Sequence, residues 1–292
     1  MSPRYGIAEW FGKPFPELPP NERRRLADAA LAGGRNAPAC PFQKNKPPCR
    51  KRGGVCTLQR YRPDDGGRLG PALGAPAIVC PARFEEEQLL VTWLADIVGF
   101  SRDEAMLARE VAFMHGTGTD KPAGKIDLVV ARAVGGDLKW YGLEIQAVYF
   151  SGTGMGSEFE RLQTDDRNPP PFPNAIRRPD WRSSSAKRLM PQLQVKVPTL
   201  RRWGSKMAVA VDRPFFDAVG GVSPDYSRDL SDGDVIWLVP ELKRSGDGSW
   251  QLTPGHWEVL TLEATVDKLL AAETVRRGKF EQDLRMKLEP LL

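Results

Sequence analysis

The stretch 124-GKIDLVVARAVGGDLKWYGLEIQAVYF-150 decides how this chain is read. Its first half, KIDLVV, is β-branched and apolar around a single acid, Asp127, and its second half is apolar around Glu144 and Gln146. Gly135-Gly136 between them is a two-residue turn signal of the kind that joins antiparallel strands. With that turn, 134 faces 137, 127 faces 144 and 125 faces 146, and directly opposed residues share one face of a sheet. The pattern predicts a β-hairpin with Lys125, Asp127, Glu144 and Gln146 on one face and Ile126, Leu128, Leu143 and Ile145 on the other. Two opposed carboxylates repel unless a cation lies between them, so the arrangement asks for a divalent metal.

The rest of the composition fits a globular chain around such a sheet. The 292 residues allow one large domain or two smaller ones, and 12 Phe and 8 Trp provide for a core. With 26 Pro and 28 Gly, long loops around a mixed α/β core are expected rather than a helical bundle. No apolar run approaches a membrane span and no signal-type apolar stretch follows Met1, so a soluble, cytoplasmic protein without a membrane partner is expected. The net charge of +5 is unevenly spread: residues 1–80 hold 14 Lys/Arg against 6 Asp/Glu, the remainder 28 against 31. That asymmetry favours an anionic partner for the N-terminal part, nucleic acid being the commonest.

Working back from the hairpin, all four cysteines, Cys40, Cys49, Cys56 and Cys80, precede it, with eight, six and twenty-three residues between them. Residues 57–77 read as loop, too poor in apolar side chains to build a core alone. Four clustered cysteines in an intracellular chain favour a structural metal over disulfides. The spacing lacks paired CxxC knuckles, and free or redox thiols are the competing reading. Lys44, Lys46, Arg50, Lys51 and Arg52 decorate the loops between them and would suit phosphates. Further upstream, residues 1–18 form an apolar-aromatic patch expected to dock on a larger body. A helix is expected from Asn21, as N-cap, to Gly33-Gly34, with Arg23, Arg24 and Arg25 on a solvated face. Residues 84–98 read as one amphipathic helix, and Ser101 with Glu104 as the capping box of another.

Beyond the hairpin, Ser157 is expected to cap a short turn over 158–162. Residues 177–206 carry nine Lys/Arg and one acid, Asp180. Ser183–Ser185 would cap a helix bearing Lys187, Arg188, Gln192 and Gln194, with Pro191 in its early turns. Residues 207–211, 235–242 and 257–262 read as further strands of one sheet, and 265–288 as a closing helix. The glycine-rich loops 115–121 and 151–156 read as turns: the first lacks the Gly and Ser/Thr that a phosphate loop needs at 119 and 126. His115 and His256 are isolated, no GxSxG occurs, and no solenoid repeat is visible.

Asp127…Glu144-Ile145-Gln146 on adjacent strands resembles the active site of PD-(D/E)xK nucleases, with Gln146 where Lys is usual. GIAEWFG, CPF…C…GGVC, CPARF, WYGLEIQ and AKRLMPQ, in that order, look like the NotI restriction endonuclease group, over residues 6–242 and weakly thereafter. The resemblance implies an α/β fold with a mixed central sheet flanked by helices, a restriction-endonuclease-like core over 84–292, preceded by a basic arm and small cysteine-metal module over 1–83. It implies a prokaryotic type II restriction endonuclease, a homodimer cutting palindromic, GC-rich duplex DNA and paired with a cognate DNA methyltransferase. It makes Asp127, Glu144 and Gln146 the active-site residues, and Cys40, Cys49, Cys56 and Cys80 the ligands of a structural iron, for which zinc is the alternative.

Physical reasoning assigns oxygens of Asp127, Glu144 and the Ile145 carbonyl to Mg²⁺, a hard cation that keeps several waters. Gln146 can neither carry charge nor take a proton, so it is expected to orient water or phosphate. Lys125 would then supply the missing cation. Arg177, Arg178, Arg182, Lys187, Arg188 and Gln194 join the loop cations as DNA-binding candidates. Two other readings compete: a non-catalytic DNA-binding protein with a cysteine-metal site, and a repair or structure-specific nuclease on the same fold.

Overall fold

A computed structural model of the chain describes residues 2–34, 37–119, 121–271 and 275–289. In chain order, β1 (Arg4–Trp10) and β2 (Lys13–Pro14) lead into helix α1 (Pro20–Ala32), then β3 (Val55–Pro63), β4 (Leu69–Ile78) and α2 (Leu89–Ile97). Strands β5 (Met106–His115), β6 (Pro122–Val134), β7 (Asp137–Ile145) and β8 (Phe150–Gly152) follow, with α3 (Gly156–Thr164), β9 (Arg177–Pro179), α4 (Trp181–Ser184) and α5 (Met190–Arg202). The C-terminal part adds β10 (Met207–Ala210), α6 (Arg213–Ala218), β11 (Val235–Arg244), β12 (Trp250–Leu260), α7 (Leu262–Leu270) and α8 (Arg277–Arg285).

A six-stranded mixed sheet in the order β12-β11-β10-β7-β6-β5 forms the centre, with β10 parallel to both its neighbours and the other pairs antiparallel. Strand β10, MAVA, is buried along its whole length, as a central strand covered on both faces should be. Its alternate residues feed two cores. Val209 joins Leu193, Val197, Leu200, Phe215, Phe216 and Trp237 on one face, while Ala208 and Ala210 join Leu90, Leu94, Leu143 and Ile236 on the other. Helices α5, α6 and α7 thus cover one side and α2 the other.

The β6–β7 hairpin has the expected register, from Val134↔Asp137 to Leu128↔Leu143. Gly135 and Gly136 both take positive φ, 58° and 97°, which a two-residue turn between right-twisted strands requires. Strands are also found where 207–211, 235–242 and 257–262 predict them, in this same sheet.

Several expectations give way. Residues 57–77 are a β-hairpin, β3–β4, inside a four-stranded sheet of order β2-β1-β3-β4. The prolines and glycines of β4 mislead because β4 is an edge strand, where missing donors are tolerated. The aromatic patch near the start is not an appended segment: β1 lies between β2 and β3, and Trp10 is fully buried. The 84–98 helix is broken at Glu86 and Glu87, whose backbone is non-helical, and regular helix begins at Leu89. Ser101 does bond Glu104, at 2.8 Å, but the turn it closes enters strand β5, not a second helix.

Helix ends are corrected as well. Pro19, not Asn21, is the N-cap of α1, and the helix stops at Gly33 as expected. Asp180, not the serine run, caps α4 by accepting from the Ser183 N–H, and Met155 rather than Ser157 precedes α3. A π-helical segment, Ser185–Leu189, joins α4 to α5. It sits just before Pro191, whose ring clashes with the carbonyl four residues back in a regular α-helix, and the widened turn relieves that clash. The predicted closing helix over 265–288 is two helices, α7 and α8; residues 272–274 between them, like Asp120 in the 115–121 loop, lie outside the described residues.

The N-terminal core does not close within residues 1–83. Ile7, Trp10, Phe15, Leu26 and Leu58 pack with Phe159, Leu162 and Phe172, which come from after the central hairpin. Two buried arginines fasten this body. Arg23, far from a solvated face, is fully buried and donates to the carbonyls of Leu18 and Arg167 and to Asn168 Oδ1. Arg83 is equally buried; it donates to Glu9 Oε2 at 2.7 Å, Glu86 Oε2 at 2.8 Å and the Trp250 carbonyl at 2.8 Å, and lies over the Phe42 ring. One guanidinium therefore links β1, the turn before α2, β12 and the cysteine loop.

Burial pushes Glu9 up to about 7 against the pull of Arg83. A carboxylate raised in this way favours the fold below its ordinary range and loses that contribution as pH rises through about 7. Arg83→Ala leaves Glu9 buried and unpaired, and is expected to lower unfolding free energy by about 3–5 kcal/mol at pH 8. Urea denaturation should show a smaller loss at pH 5, where Glu9 is protonated, and partial recovery in Arg83→Ala/Glu9→Leu.

Candidate active site

The hairpin ladder stops at Leu128↔Leu143, and there the strands part. Beyond it β7 runs with β10, pairing Glu144 with Val209 and Ile145 with Ala210. Side chains take over the bonds that the ladder gives up: Asp127 Oδ2 accepts from the Ile145 N–H at 3.0 Å, and Glu144 Oε1 accepts from the Asp127 N–H at 3.3 Å. The two carboxylates are thereby locked beside one another where the strands diverge. Pairs 127/144 and 125/146 are not ladder pairs, and the expected faces do not hold past Leu128: Ile126 joins one core while Leu128, Leu143 and Ile145 join the other.

Their environments differ sharply. Asp127 is exposed and lines a cleft of about 680 Å³ together with Gln43, Glu85, Arg109, Glu110, Ile145 and Gln192. Glu144 is 2% exposed. Burial, and then the charge of Asp127, pushes its carboxyl up to about 7, although Lys196 pulls the other way. Among the described residues, no donor reaches Asp127 Oδ1 or Glu144 Oε2, so each acid keeps one oxygen free.

The cation beside this pair is not Lys125. Lys125 is exposed and pairs with Glu110 Oε2 at 3.0 Å, across the β5–β6 ladder. Lys196 from α5 instead reaches Glu144 Oε1 at 2.6 Å and Gln192 Oε1 at 2.9 Å, with almost no solvent contact. Sequence reasoning missed it, because 51 residues of chain separate Glu144 from Lys196 and nothing local marks the pairing. One signal was present: Lys196 follows Leu193 and precedes Val197 and Leu200, a lysine inside an apolar helical stripe. Gln146 is buried at 9%, with its amide donating to the Ala147 carbonyl at 2.6 Å.

Among the described residues no group of three His, Cys, Asp or Glu side chains is close enough to hold a metal. A closed protein cage is thus absent at the acids. Mg²⁺ does not need one, since it commonly takes one or two carboxylates and keeps its waters. Asp127 on the cleft wall and Glu144 buried beside it, each with one oxygen left unbonded, fit that requirement. The cysteines are a different case. Backbone bonds bring their segments together, Cys40 N–H to Pro47, Cys49 N–H to Pro38 and Val79 N–H to Cys56. Burial raises the thiols of Cys49, Cys56 and Cys80, and neighbouring cysteines add to the rise. All four are free thiols, so the expected metal module is not assembled as four converging ligands.

The DNA-binding candidates fall into two groups. Lys44, Lys46, Arg50, Arg52, Arg178, Arg182, Lys187 and Gln194 are exposed, as is Arg188, which lies over the Tyr149 ring at 4.4 Å. Lys51 is exposed but ties its Nζ to the Val79 carbonyl at 2.8 Å. Arg177 is committed to the fold: it is buried and bonds Glu158 and the carbonyls of Thr153 and Gly154. A second cleft of about 520 Å³ is lined by Lys51, Arg52, Tyr149 and the 151–156 glycine loop, with Arg177 at its wall. No helix among the described residues is long and apolar enough to cross a membrane.

No curated protein matches the chain. The family model described as Restriction endonuclease NotI matches residues 26–252, which include the four cysteines, Asp127, Glu144, Gln146 and Lys196, and leave the GIAEWFG stretch outside. With most of its length matched, the chain belongs to the NotI restriction endonuclease family, and is a site-specific deoxyribonuclease that hydrolyses DNA.

Proposed function

We propose that the chain cuts duplex DNA at a GC-rich palindromic site by Mg²⁺-dependent phosphodiester hydrolysis, as a homodimer working beside a DNA methyltransferase that marks the same site. The observation that carries the chemistry is the pair of side-by-side carboxylates, each with a free oxygen, at the parting of β6 and β7 beside an open cleft. Asp127 Oδ1, Glu144 Oε2 and the Ile145 carbonyl would hold the cation. When bound, it supplies the positive charge against which negative charge developing at phosphorus is stabilised.

The remaining roles belong to the chain. The Ile145 and Asp127 N–H groups fix the two carboxylates before any substrate arrives, which removes reorganisation from the reaction. Gln146, neutral and largely buried, orients water or phosphate rather than moving a proton. The exposed Lys and Arg of residues 44–52 and 178–188 contact phosphates and make binding fall steeply with salt. A homodimer suits a palindrome because two-fold symmetry in the protein then matches two-fold symmetry in the site.

The cysteine segment enters this reading as a structural centre that holds one iron, or zinc, when its four thiols close. What supports it is packing: Cys40 and Cys56 share one buried cluster, and backbone bonds tie the Cys40 segment to the Cys49 segment and Cys56 to Val79, beside Cys80.

Plasmid DNA incubated with Mg²⁺ should yield discrete fragments, and Asp127→Ala or Glu144→Ala should slow cleavage by ~10³-fold or more while leaving DNA binding in place. Fragment ends that map to no fixed sequence would sink the palindromic reading, and cleavage of single strands or RNA would point to a structure-specific nuclease. Elemental analysis should find about one iron or zinc per chain, lost in Cys40→Ser and Cys80→Ser. Metal-free protein with four thiols reacting freely would remove the structural centre.

A further inference from the structure

The strand motif of this site carries no positive charge, since Gln146 stands two residues after Glu144. Cleaving a phosphodiester builds negative charge at phosphorus, and a site built only of carboxylates and an amide has nothing of its own to oppose it. The helix packed beneath the sheet changes that. Lys196 of α5 is 5% exposed and its ammonium rests on Glu144 Oε1, 2.6 Å away. Its second bond, 2.9 Å to Gln192 Oε1, ties it one helical turn along to a side chain that lines the catalytic cleft. Arg109, which lines this cleft, is engaged with Glu85, and Lys125, two residues before Asp127, with Glu110.

We propose that Lys196 is a positioning residue and the resident countercharge of the site: it neutralises and orients Glu144 in the metal-free protein, and supplies from the helix the positive charge that the strand motif lacks. The inference rests on the nuclease reading of Asp127 and Glu144. By sharing Oε1 with the Asp127 N–H, Lys196 holds the carboxylate of Glu144 from one side and leaves Oε2 without a partner among the described residues. An ammonium already resting on Glu144 also competes with any divalent cation for that charge, so the site is held in shape without metal and yields to metal.

Three variants test this: Lys196→Met, Lys196→Arg and Lys196→Met/Gln146→Lys. Without DNA, Mg²⁺ should raise the melting temperature of Lys196→Met more than that of the wild type, because only the variant leaves Glu144 without a charged partner. Lys196→Arg should respond like the wild type. An equal or smaller Mg²⁺ shift in Lys196→Met overturns the countercharge. In cleavage, Lys196→Met should lower kcat by ~10²-fold or more with KM for DNA little changed. Returning the charge on the strand, in Lys196→Met/Gln146→Lys, should recover at least ~10-fold of that loss, which a merely structural lysine would not allow. Lys196→Met cleaving within threefold of the wild type overturns the proposal. Where Lys196→Met fails to fold without metal, the double variant decides: folded and active supports it, and unfolded or inactive overturns it. Wild type and Glu144→Ala run in parallel separate the two readings. Equal cleavage by both dismisses the acidic site itself, whereas loss only in Glu144→Ala leaves that site standing, and the Lys196 variants then decide the countercharge alone.

Discussion

A carboxylate buried beside another carboxylate must either keep its proton or find positive charge. Glu144 is in that position, nearly solvent-free with Asp127 next to it and its carboxyl raised to about 7. Much of the surrounding architecture answers this one constraint. The hairpin gives up its ladder at Leu128 so that Asp127 can accept from Ile145 and Glu144 from Asp127. Strand β7 keeps its pairing with β10 on the other edge, and Asp127, Leu128 and Ile145, where β6 and β7 part, line a cleft. Helix α5 then lays a lysine under the carboxylate.

The path of that helix has its own cost. Residues 181–202 run through four α-helical residues, a π-helical segment and thirteen further α-helical residues, with Pro191 and Pro198 both inside the last stretch. A π turn holds one residue more than an α turn, which rotates everything after it by about 100° around the axis. The buried stripe that results is Leu193, Lys196, Val197 and Leu200. Exposed Lys187, Arg188 and Gln194 lie off that stripe. One helix therefore serves the site with its inner face and offers polar and cationic side chains outside.

The hairpin was legible because its signals are local: a glycine pair, apolar β-branched runs on either side of it and two isolated acids. The buried strands β10 and β11 were legible for the same reason. What escaped depends on partners distant in sequence. Strand β4 hides behind its prolines because only its place at a sheet edge makes them harmless. Strand β5 hides behind a real Ser101–Glu104 bond that sequence alone assigns to a helix start. Arg23 and Arg177 look like surface charge until the backbone carbonyls and acids that bury them arrive from elsewhere. Lys125 looks like the site's cation only while the hairpin register is extended past the point where side chains replace the ladder.

The same non-local packing joins the cysteine segment to the chemistry. Gln43, between Cys40 and Cys49, donates to Glu85 Oε1 at 3.0 Å, and both line the same cleft as Asp127. Glu85 in turn pairs with Arg109 of β5, the strand that covers β6 at the site. Phe42, beside Gln43, packs with Cys40 and Cys56 and lies under Arg83, the arginine that holds β1 to β12. The loop carrying the cysteines is thus one wall of the cleft rather than a remote appendage. Whatever orders residues 40–56 also sets where Gln43 and Glu85 stand relative to the two carboxylates, so the integrity of that loop and the shape of the cleft at Asp127 are a single structural problem.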